Sequence, residues 1–179
     1  PLAAPAGACG PDSDCVVEGG AYRVRAPAIW DGRSALPAAV FFHGWKASAA
    51  DVMADEDLGE AFARAGILLV APDGLGHAWA HHGSPSAAGS RHRDEAAFVD
   101  AVVEDVTRRF PLDRAKLWAT GFSIGGSMVW DLACGHPERF AAFVAVAGAF
   151  WEPMPERCAG PVRLLHLHGL VDETVPLEG

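Results

Sequence analysis

The amino-acid sequence predicts a doubly wound, mainly parallel α/β sheet. Two patterns predict it: short apolar runs recur along the chain, and helical patterns separate them. Apolar runs of this kind are typical of strands covered on both faces, and parallel neighbours need crossover connections such as helices. The predicted strands are 38–42, 67–71, 117–120, 143–147 and 162–167.

Three amphipathic helical patterns fill the intervals between these strands. The first repeats apolar residues at i, i+3, i+4 and i+7 and stops at Gly66, and the second repeats them every four positions before Pro111. The third directly follows the strand 117–120 and its turn, and ends at a Gly-His-Pro sequence. The predicted helices cover 58–65, 98–110 and 124–134, and a short antiparallel edge strand is predicted at 22–25.

Length and charge narrow the classes of protein to which the chain can belong. Its 179 residues, half of them apolar, suffice for one domain with a buried core. We divide the chain into an N-terminal extension, 1–20, and a domain, 21–179. A formal charge of −9 without a long basic run argues against nucleic acid as a partner, and no apolar stretch has the length of a membrane span.

The cysteines indicate the compartment. Cys9, Cys15, Cys134 and Cys158 form no CxxC pair, which gives a metal site little support. In an oxidising compartment two disulfides are the simplest arrangement, and of three connectivities we predict Cys9–Cys15 and Cys134–Cys158. Two disulfides imply an oxidising compartment, so we expect a secreted or periplasmic protein. Because the first ten residues lack the charged start and apolar core of a signal peptide, we expect that the signal peptide has been removed. Four reduced cysteines in a cytosolic protein are the alternative.

The sequence Gly-Phe-Ser-Ile-Gly-Gly, residues 121–126, lies between a predicted strand and a predicted helix. A G-x-S-x-G sequence in this context is typical of a nucleophilic serine. Glycines two residues to either side are needed because a Cβ there would collide with the neighbouring strand or helix. We therefore predict Ser123 as the nucleophile, with the N–H of Ile124 and the positive helix end stabilising an oxyanion. A glycine-rich turn with an incidental serine is the alternative.

A second oxyanion donor is expected in the loop after the strand 38–42, which reads His43, Gly44, Trp45. Gly44 lets the chain turn close to the site, and we assign the donor to the backbone N–H of Trp45. His43 as a general base is the competing interpretation. Its position before the serine in the chain, at the oxyanion loop, favours a structural role.

Acidic residues follow the last predicted strand, in the sequence His-Gly-Leu-Val-Asp-Glu that starts at residue 168. Asp172 is placed to orient an imidazolium and to offset its charge, with Glu173 as the alternative. His166 and His168 alternate with leucines, so we interpret them as core or supporting residues.

Aromatic residues at or just after strand ends predict an apolar cleft for the substrate. We assign Phe122, Trp79 and Trp151 to this cleft, with ordinary core and rim packing as the alternative for each. A metal cluster formed by Asp73 with the histidines at 77, 81 and 82 is disfavoured because their loop lacks regular ligand spacing. We expect neither a metal nor a cofactor.

Together, the sequences GFSIGG, HGW and HGLVDETVP resemble the secreted polyhydroxybutyrate depolymerase and feruloyl or acetylxylan esterase branch of the α/β-hydrolases. The resemblance covers nearly the whole chain. It implies an α/β-hydrolase fold, with Ser123 as nucleophile and Asp172 as triad acid. It also implies the triad order Ser, Asp, His, and no histidine follows Asp172 up to residue 179. We therefore expect the catalytic histidine, the last strand and the last helix beyond that residue.

The predicted function is hydrolysis of carboxylic esters through an acyl-enzyme. The resemblance implies polyhydroxyalkanoate or plant-polysaccharide feruloyl and acetyl esters as substrates, and small esters are a third possibility. A non-catalytic binding domain with a hydrolase scaffold is one alternative, and a serine peptidase of the same fold is another. Covalent labelling of the serine tests the first alternative, and the ratio of ester to peptide-amide cleavage tests the second.

Overall fold

The computed structural model describes residues 9–89 and 93–177. In chain order, the elements of this part are β1 (Cys15–Val17), β2 (Gly20–Arg25), β3 (Leu36–Phe42), α1 (Ala49–Ala54), α2 (Glu56–Arg64), β4 (Leu68–Pro72), α3 (Glu95–Arg109), β5 (Leu112–Phe122), α4 (Ile124–Gly135), β6 (Ala142–Val146) and β7 (Leu164–Leu167). The strands form one sheet of order β1-β2-β4-β3-β5-β6-β7. Neighbours from β4 to β7 are parallel, whereas β1 and β2 pair antiparallel at one edge. The predicted fold class is therefore confirmed.

The helices lie on both faces of the sheet. α3 and α4 contribute Phe98, Val102, Met128 and Leu132 to the main core on one face. α1 and α2 lie on the other face, where a smaller core that includes Met53 covers β3 and β4. No helix in residues 9–89 and 93–177 is both long enough and apolar enough to span a membrane.

On the sheet face that carries α1 and α2, no helix of the described part covers the strands β5 to β7. Phe122 at the end of β5, and Leu165 and Leu167 on β7, lie on this face. Their exposed fractions are 52%, 53% and 49%. The expectation that the strands are covered on both faces is thus met by β3 and β4, but not by β5 to β7.

Short polar side chains begin the helices. Asp55 and Asp94 each accept a hydrogen bond from the backbone N–H three residues later, which caps α2 and α3. Ser48 caps α1 in the same way. Helix α1 was not predicted, because six residues are too few to establish a helical period.

The predicted boundary at residue 20 lies where β2 begins. β1 pairs with β2, and Cys15 lies opposite Tyr22. Both side chains belong to the main core and are at most 1% exposed. The boundary therefore falls inside a hairpin of the sheet. Residues 1–8 of the predicted extension, and residues 178 and 179 of the predicted domain, lie outside the described residues.

Both predicted disulfides are confirmed. Cys9–Cys15 closes a segment with a sequence separation of 6, and Cys134–Cys158 one with a separation of 24. The second bridge ties the end of α4 to the loop that follows β6, where Ala159 N–H also donates to the Cys134 carbonyl at 2.7 Å.

Removing the longer bridge should destabilise the protein more. We expect replacement of Cys134 and Cys158 by serine to lower the free energy of unfolding by about 3 kcal/mol, because the bridge restricts the unfolded chain. The same change at Cys9 and Cys15 should lower it by roughly 1 kcal/mol less, since that loop is shorter. Urea unfolding of the two double variants measures the difference. The reverse order would contradict this account.

Candidate active site

Ser123 occupies a strained turn between β5 and α4. Its backbone angles are φ 56° and ψ −124°, a conformation that residues with a side chain rarely adopt. The Ser123 N–H donates to the Val146 carbonyl at 2.9 Å, and the Ser123 carbonyl accepts from Ser127 N–H at 3.0 Å. The turn is therefore tied to both β6 and α4, and it leaves the serine side chain partly exposed.

Glycines surround this turn because the backbones approach too closely for side chains. A Cβ on Gly121 would lie 2.6 Å from the carbonyl carbon of Gly125 and 2.9 Å from the Phe42 oxygen. A Cβ on Gly125 would lie 2.6 Å from the His43 oxygen and closer still to that of Phe42. The predicted steric role of these glycines is thus found in the packing of α4 against β3.

A cavity of about 310 Å³ opens beside Ser123. Four of the residues assigned to the site from the sequence line it: Ser123, Ile124, Trp45 and Trp151. The remaining lining residues are Ala78, Pro85, Ser86, Ser127, Thr174 and Val175. Aromatic and aliphatic side chains make most of this surface, and hydroxyl groups supply its polar positions.

Two residues that line the cavity beside Ser123 have backbone N–H groups without a hydrogen-bond acceptor in the described part. Ile124 is the first residue of α4, and N–H groups in the first turn of a helix have no partner within the helix. Among the described residues, the Trp45 N–H has no backbone or side-chain acceptor either. Both residues line the cavity, and the positive end of the α4 dipole adds to the attraction for an anion.

His43 is a structural residue, as its position in the sequence indicated. It is 1% exposed, and both ring nitrogens are engaged. Nδ1 donates to the Gly44 carbonyl at 2.8 Å, and Nε2 accepts the Gly74 N–H at 2.9 Å. Burial lowers the pKa of His43 below its ordinary value of 6.5, so the ring is neutral at pH 7.

This lowered pKa makes stability depend on pH. Below pH 6.5 the unfolded chain binds a proton at His43 that the folded chain does not, so stability should fall as the pH falls. His43→Gln keeps an acceptor for the Gly74 N–H and does not titrate. We expect urea unfolding from about pH 7.5 to pH 5.5 to give a shallower loss for this variant, by at most about 1.4 kcal/mol per pH unit. Equal slopes would count against the assignment.

Asp172 lies in the turn after β7, which reaches the Ser123 cavity. Its Oδ1 accepts the N–H groups of Thr174 at 2.9 Å and Val175 at 3.0 Å. These bonds, that of Val175 first, hold the pKa of Asp172 below its ordinary value of 3.8. The ionised carboxylate is therefore hydrogen-bonded to two residues, Thr174 and Val175, that line the cavity. Glu173, the alternative acid, is exposed.

His166 and His168 support this turn. The Nε2–H of His168 donates to the Val175 carbonyl at 2.7 Å, and its Nδ1 accepts from His166 Nε2 at 2.9 Å. His168 Nε2 also lies 3.8 Å from the second carboxylate oxygen of Asp172. The geometry agrees with the interpretation of both histidines as supporting residues.

The three aromatic residues assigned to the substrate cleft have different positions. Trp151 lines the cavity, 38% exposed, and its indole N–H donates to Ser127 Oγ at 3.2 Å. Trp79 is fully buried, and its N–H donates to the His43 carbonyl at 2.8 Å, so it supports the loop of Trp45 from behind. Phe122 lines a separate cavity of about 430 Å³ beside Gly44. The Ser123 cavity thus includes Trp151 but neither Trp79 nor Phe122.

Ser127 is the site residue that the sequence analysis missed. Its Oγ accepts the Ala149 N–H and the Trp151 indole N–H, each at 3.2 Å, and it lines the cavity. The available signal was its spacing, since a residue four positions after Ser123 lies on the same face of α4. In the described part, no group of three or more His, Cys, Asp or Glu side chains is placed to hold a metal.

The chain is similar to named esterases. It is 33% identical over 164 residues to a protein named as an esterase, NocK, of Nocardia uniformis subsp. tsuyamanensis. The aligned residues cover 89% of this chain and 47% of that protein. It is 34% identical over 123 residues to feruloyl esterase C of Emericella nidulans, covering 67% of this chain and 41% of that one. The chain therefore spans less than half the length of these relatives.

Solved structures agree on the fold. An acetyl xylan esterase from Aspergillus awamori superposes with a TM-score of 0.69 at 15% identity, over 89% of this chain and 70% of that one. Esterase PE8 does so with a TM-score of 0.61 at 24% identity, over 89% and 78% of the two chains. The model of the α/β-hydrolase fold family matches residues 37–170. This chain belongs to the α/β-hydrolase fold family.

Proposed function

We propose that the whole protein is a serine ester hydrolase. The observation that carries the proposal is the Ser123 turn, in which a partly exposed hydroxyl and two available N–H groups line one cavity. A backbone conformation this strained persists only where the surrounding structure enforces it, and such strain is concentrated at functional sites. The esterase names of the relatives support the same conclusion.

In the proposed reaction, Ser123 Oγ attacks the ester carbonyl carbon while a histidine accepts the hydroxyl proton. The N–H groups of Ile124 and Trp45 bind the oxyanion of the tetrahedral intermediate. The intermediate expels the alkoxide, which leaves as an alcohol with that proton, and an acyl-enzyme remains. Water then attacks the acyl-enzyme and gives a proton to the histidine, and the second tetrahedral intermediate releases the carboxylic acid as its bond to Ser123 Oγ breaks. Ser123 Oγ takes that proton back from the histidine, which restores both groups.

The general base in this proposal is a histidine that follows residue 179 in the whole protein. Asp172 would accept its N–H and orient it, because the carboxylate is ionised and its turn already lies at the Ser123 cavity. The negative charge of the Asp172 carboxylate would also stabilise the imidazolium that forms when the histidine takes the serine proton.

The substrates we propose are esters of an apolar acid. The cavity bounded by Trp45, Trp151, Ile124 and Val175 suits an aromatic or hydroxyalkanoyl acyl group, with hydroxyl groups available for its polar substituents. Feruloyl and acetyl esters of plant polysaccharides, polyhydroxyalkanoates and small esters all meet this description. Among these, feruloyl esters are supported by the name of one relative, feruloyl esterase C of Emericella nidulans.

We place the enzyme outside the cytoplasm, in the periplasm or the medium. The two disulfides support this location, because such bridges form and persist in oxidising compartments.

The test uses the protein encoded by the whole gene. We expect a fluorophosphonate probe to modify Ser123, located by peptide mass, and we expect hydrolysis of nitrophenyl acetate and of methyl ferulate. Nitroacetanilide, which carries the acetyl group of nitrophenyl acetate on an amide bond, should be cleaved far more slowly. Comparable rates on ester and amide would favour a peptidase, whereas no labelling and no hydrolysis would favour a binding domain.

A further inference from the structure

The loop that carries Trp45 is held by a second loop. We call residues 43–48 the oxyanion loop and residues 73–80 the supporting loop. In the described part, five hydrogen bonds connect the supporting loop to the oxyanion loop and the first residue of α1. They join Gly74 N to His43 Nε2 (2.9 Å), Trp79 Nε1 to His43 O (2.8 Å), Lys46 N to His77 O (2.9 Å), His77 Nδ1 to Ala47 O (3.0 Å) and Ala49 N to Asp73 Oδ1 (2.6 Å).

One ion pair holds both ends of the supporting loop. Arg93 Nη2 donates to the Asp73 carbonyl at 3.1 Å, and Glu95 Oε1 accepts the Ala80 N–H at 3.1 Å. The two side chains bind each other through Glu95 Oε2, which accepts from Arg93 Nε at 3.0 Å and from Nη2 at 2.6 Å. The distance between the ends of the supporting loop therefore depends on this pair.

The pair is buried among aromatic rings. The Arg93 and Glu95 side chains are 8% and 4% exposed, and the guanidinium lies 3.6 Å from the ring centroid of Phe98 and 5.9 Å from that of Trp79. Burial raises the pKa of Glu95, and the positive charge of Arg93 opposes that effect. Buried ion pairs contribute little net stability compared with apolar packing, so stability alone is a weak explanation for this one.

We propose that the Arg93–Glu95 pair is a positioning device for the oxyanion loop, and this inference rests on the proposed function. By fixing both ends of the supporting loop, the pair sets the position of the Trp45 N–H relative to Ser123. Neither residue is among those that line the Ser123 cavity in the described part, so each acts through the loops and is a positioning residue.

A displaced oxyanion donor has a specific kinetic signature. The oxyanion forms only after the serine attacks, so misplacing the Trp45 N–H lowers kcat and leaves KM nearly unchanged. Glu95→Gln keeps the shape of the side chain and an acceptor for the Ala80 N–H but removes the charge that holds Arg93. We expect kcat to fall about 10-fold, less than for the complete loss of a donor, with KM within about twofold.

The variants are compared in the whole protein. Arg93→Met should reduce kcat at least as much as Glu95→Gln. Arg93→Lys keeps the positive charge, so its kcat should fall less than that of Arg93→Met. Glu104→Gln is the matched control, since Glu104 pairs with Arg108 on α3 with both side chains exposed, 72% and 60%. Its kcat should equal that of the unmodified protein.

A second readout does not require activity. Hydrogen exchange measured by mass spectrometry should show the amides of residues 43–48 exchanging about 10-fold faster in Glu95→Gln than in the unmodified protein or Glu104→Gln. If Arg93→Met does not fold, the isosteric Glu95→Gln decides the test.

The proposal is overturned if Glu95→Gln lowers the melting temperature but keeps the kcat and the exchange rates of the unmodified protein, because the pair would then only stabilise the fold. Should the unmodified protein lack esterase activity, the proposed function fails on its own. The exchange comparison still shows whether the pair positions the loop.

Discussion

Replacing Ser123 with alanine should lower kcat for ester hydrolysis by about 10⁶-fold and abolish modification by a fluorophosphonate. The reason is that a nucleophile cannot be replaced by the groups around it: the oxyanion donors still bind the substrate carbonyl, but no acyl-enzyme forms. Hydrolysis of nitrophenyl acetate by the whole protein measures the loss. The residual rate reports what the N–H groups of Ile124 and Trp45 achieve with water as the nucleophile.

Ser127→Ala is the comparison variant, because Ser127 is the serine one helical turn later that lines the same cavity. It should keep fluorophosphonate labelling and change mainly KM, since Trp151 loses the acceptor for its indole N–H.

Ser123→Gly adds a stability readout: glycine relieves the positive φ of 56°, so this variant should unfold at a higher temperature than Ser123→Ala. Labelling of Ser123→Ala at Ser127 or elsewhere would disprove the assignment.

The parallel core of the fold was predictable because its strands are continuous apolar runs. The runs at 38–42, 117–120 and 143–147 lie within one residue of, or inside, the observed β3, β5 and β6. Apart from α1, which is too short to establish a helical period, the parts that were not predicted depend on tertiary contacts. β1 has three residues, is held by a disulfide and pairs with β2, and residues 112–116 extend β5 although most of them are polar.

The residues at the centre of the candidate site were predictable because the close backbone packing around the serine turn requires glycines at fixed positions in the sequence. Ser123, Ile124 and Trp45 follow strand ends, where a parallel sheet brings loops together. Trp79 follows a strand in the same way, yet it is fully buried behind the oxyanion loop. Its position depends on the path of the loop after β4, which has no periodicity, and on the buried Arg93–Glu95 pair that holds this loop. Neither feature is visible as a pattern in the sequence.

Gly125→Ala should have the second largest effect, on both stability and activity. The new Cβ would lie 2.6 Å from the His43 oxygen and closer to that of Phe42, and both neighbours are backbone atoms at the end of β3 and the start of the oxyanion loop. α4 must then move away from β3, which shifts Ser123 relative to the Trp45 N–H. We expect the free energy of unfolding to fall by about 3 kcal/mol and kcat by about 100-fold.

Gly135→Ala separates the steric effect from the general effect of replacing a helical glycine. Gly135 is the last residue of the same helix, and a Cβ there meets no atom within 4 Å. This control should keep full activity and gain up to about 1 kcal/mol in stability, because alanine restricts the unfolded chain more than glycine does. Urea unfolding and ester hydrolysis of the two variants provide the comparison. If Gly125→Ala behaved like Gly135→Ala, the close contact of α4 with β3 could not be what holds the serine turn in place.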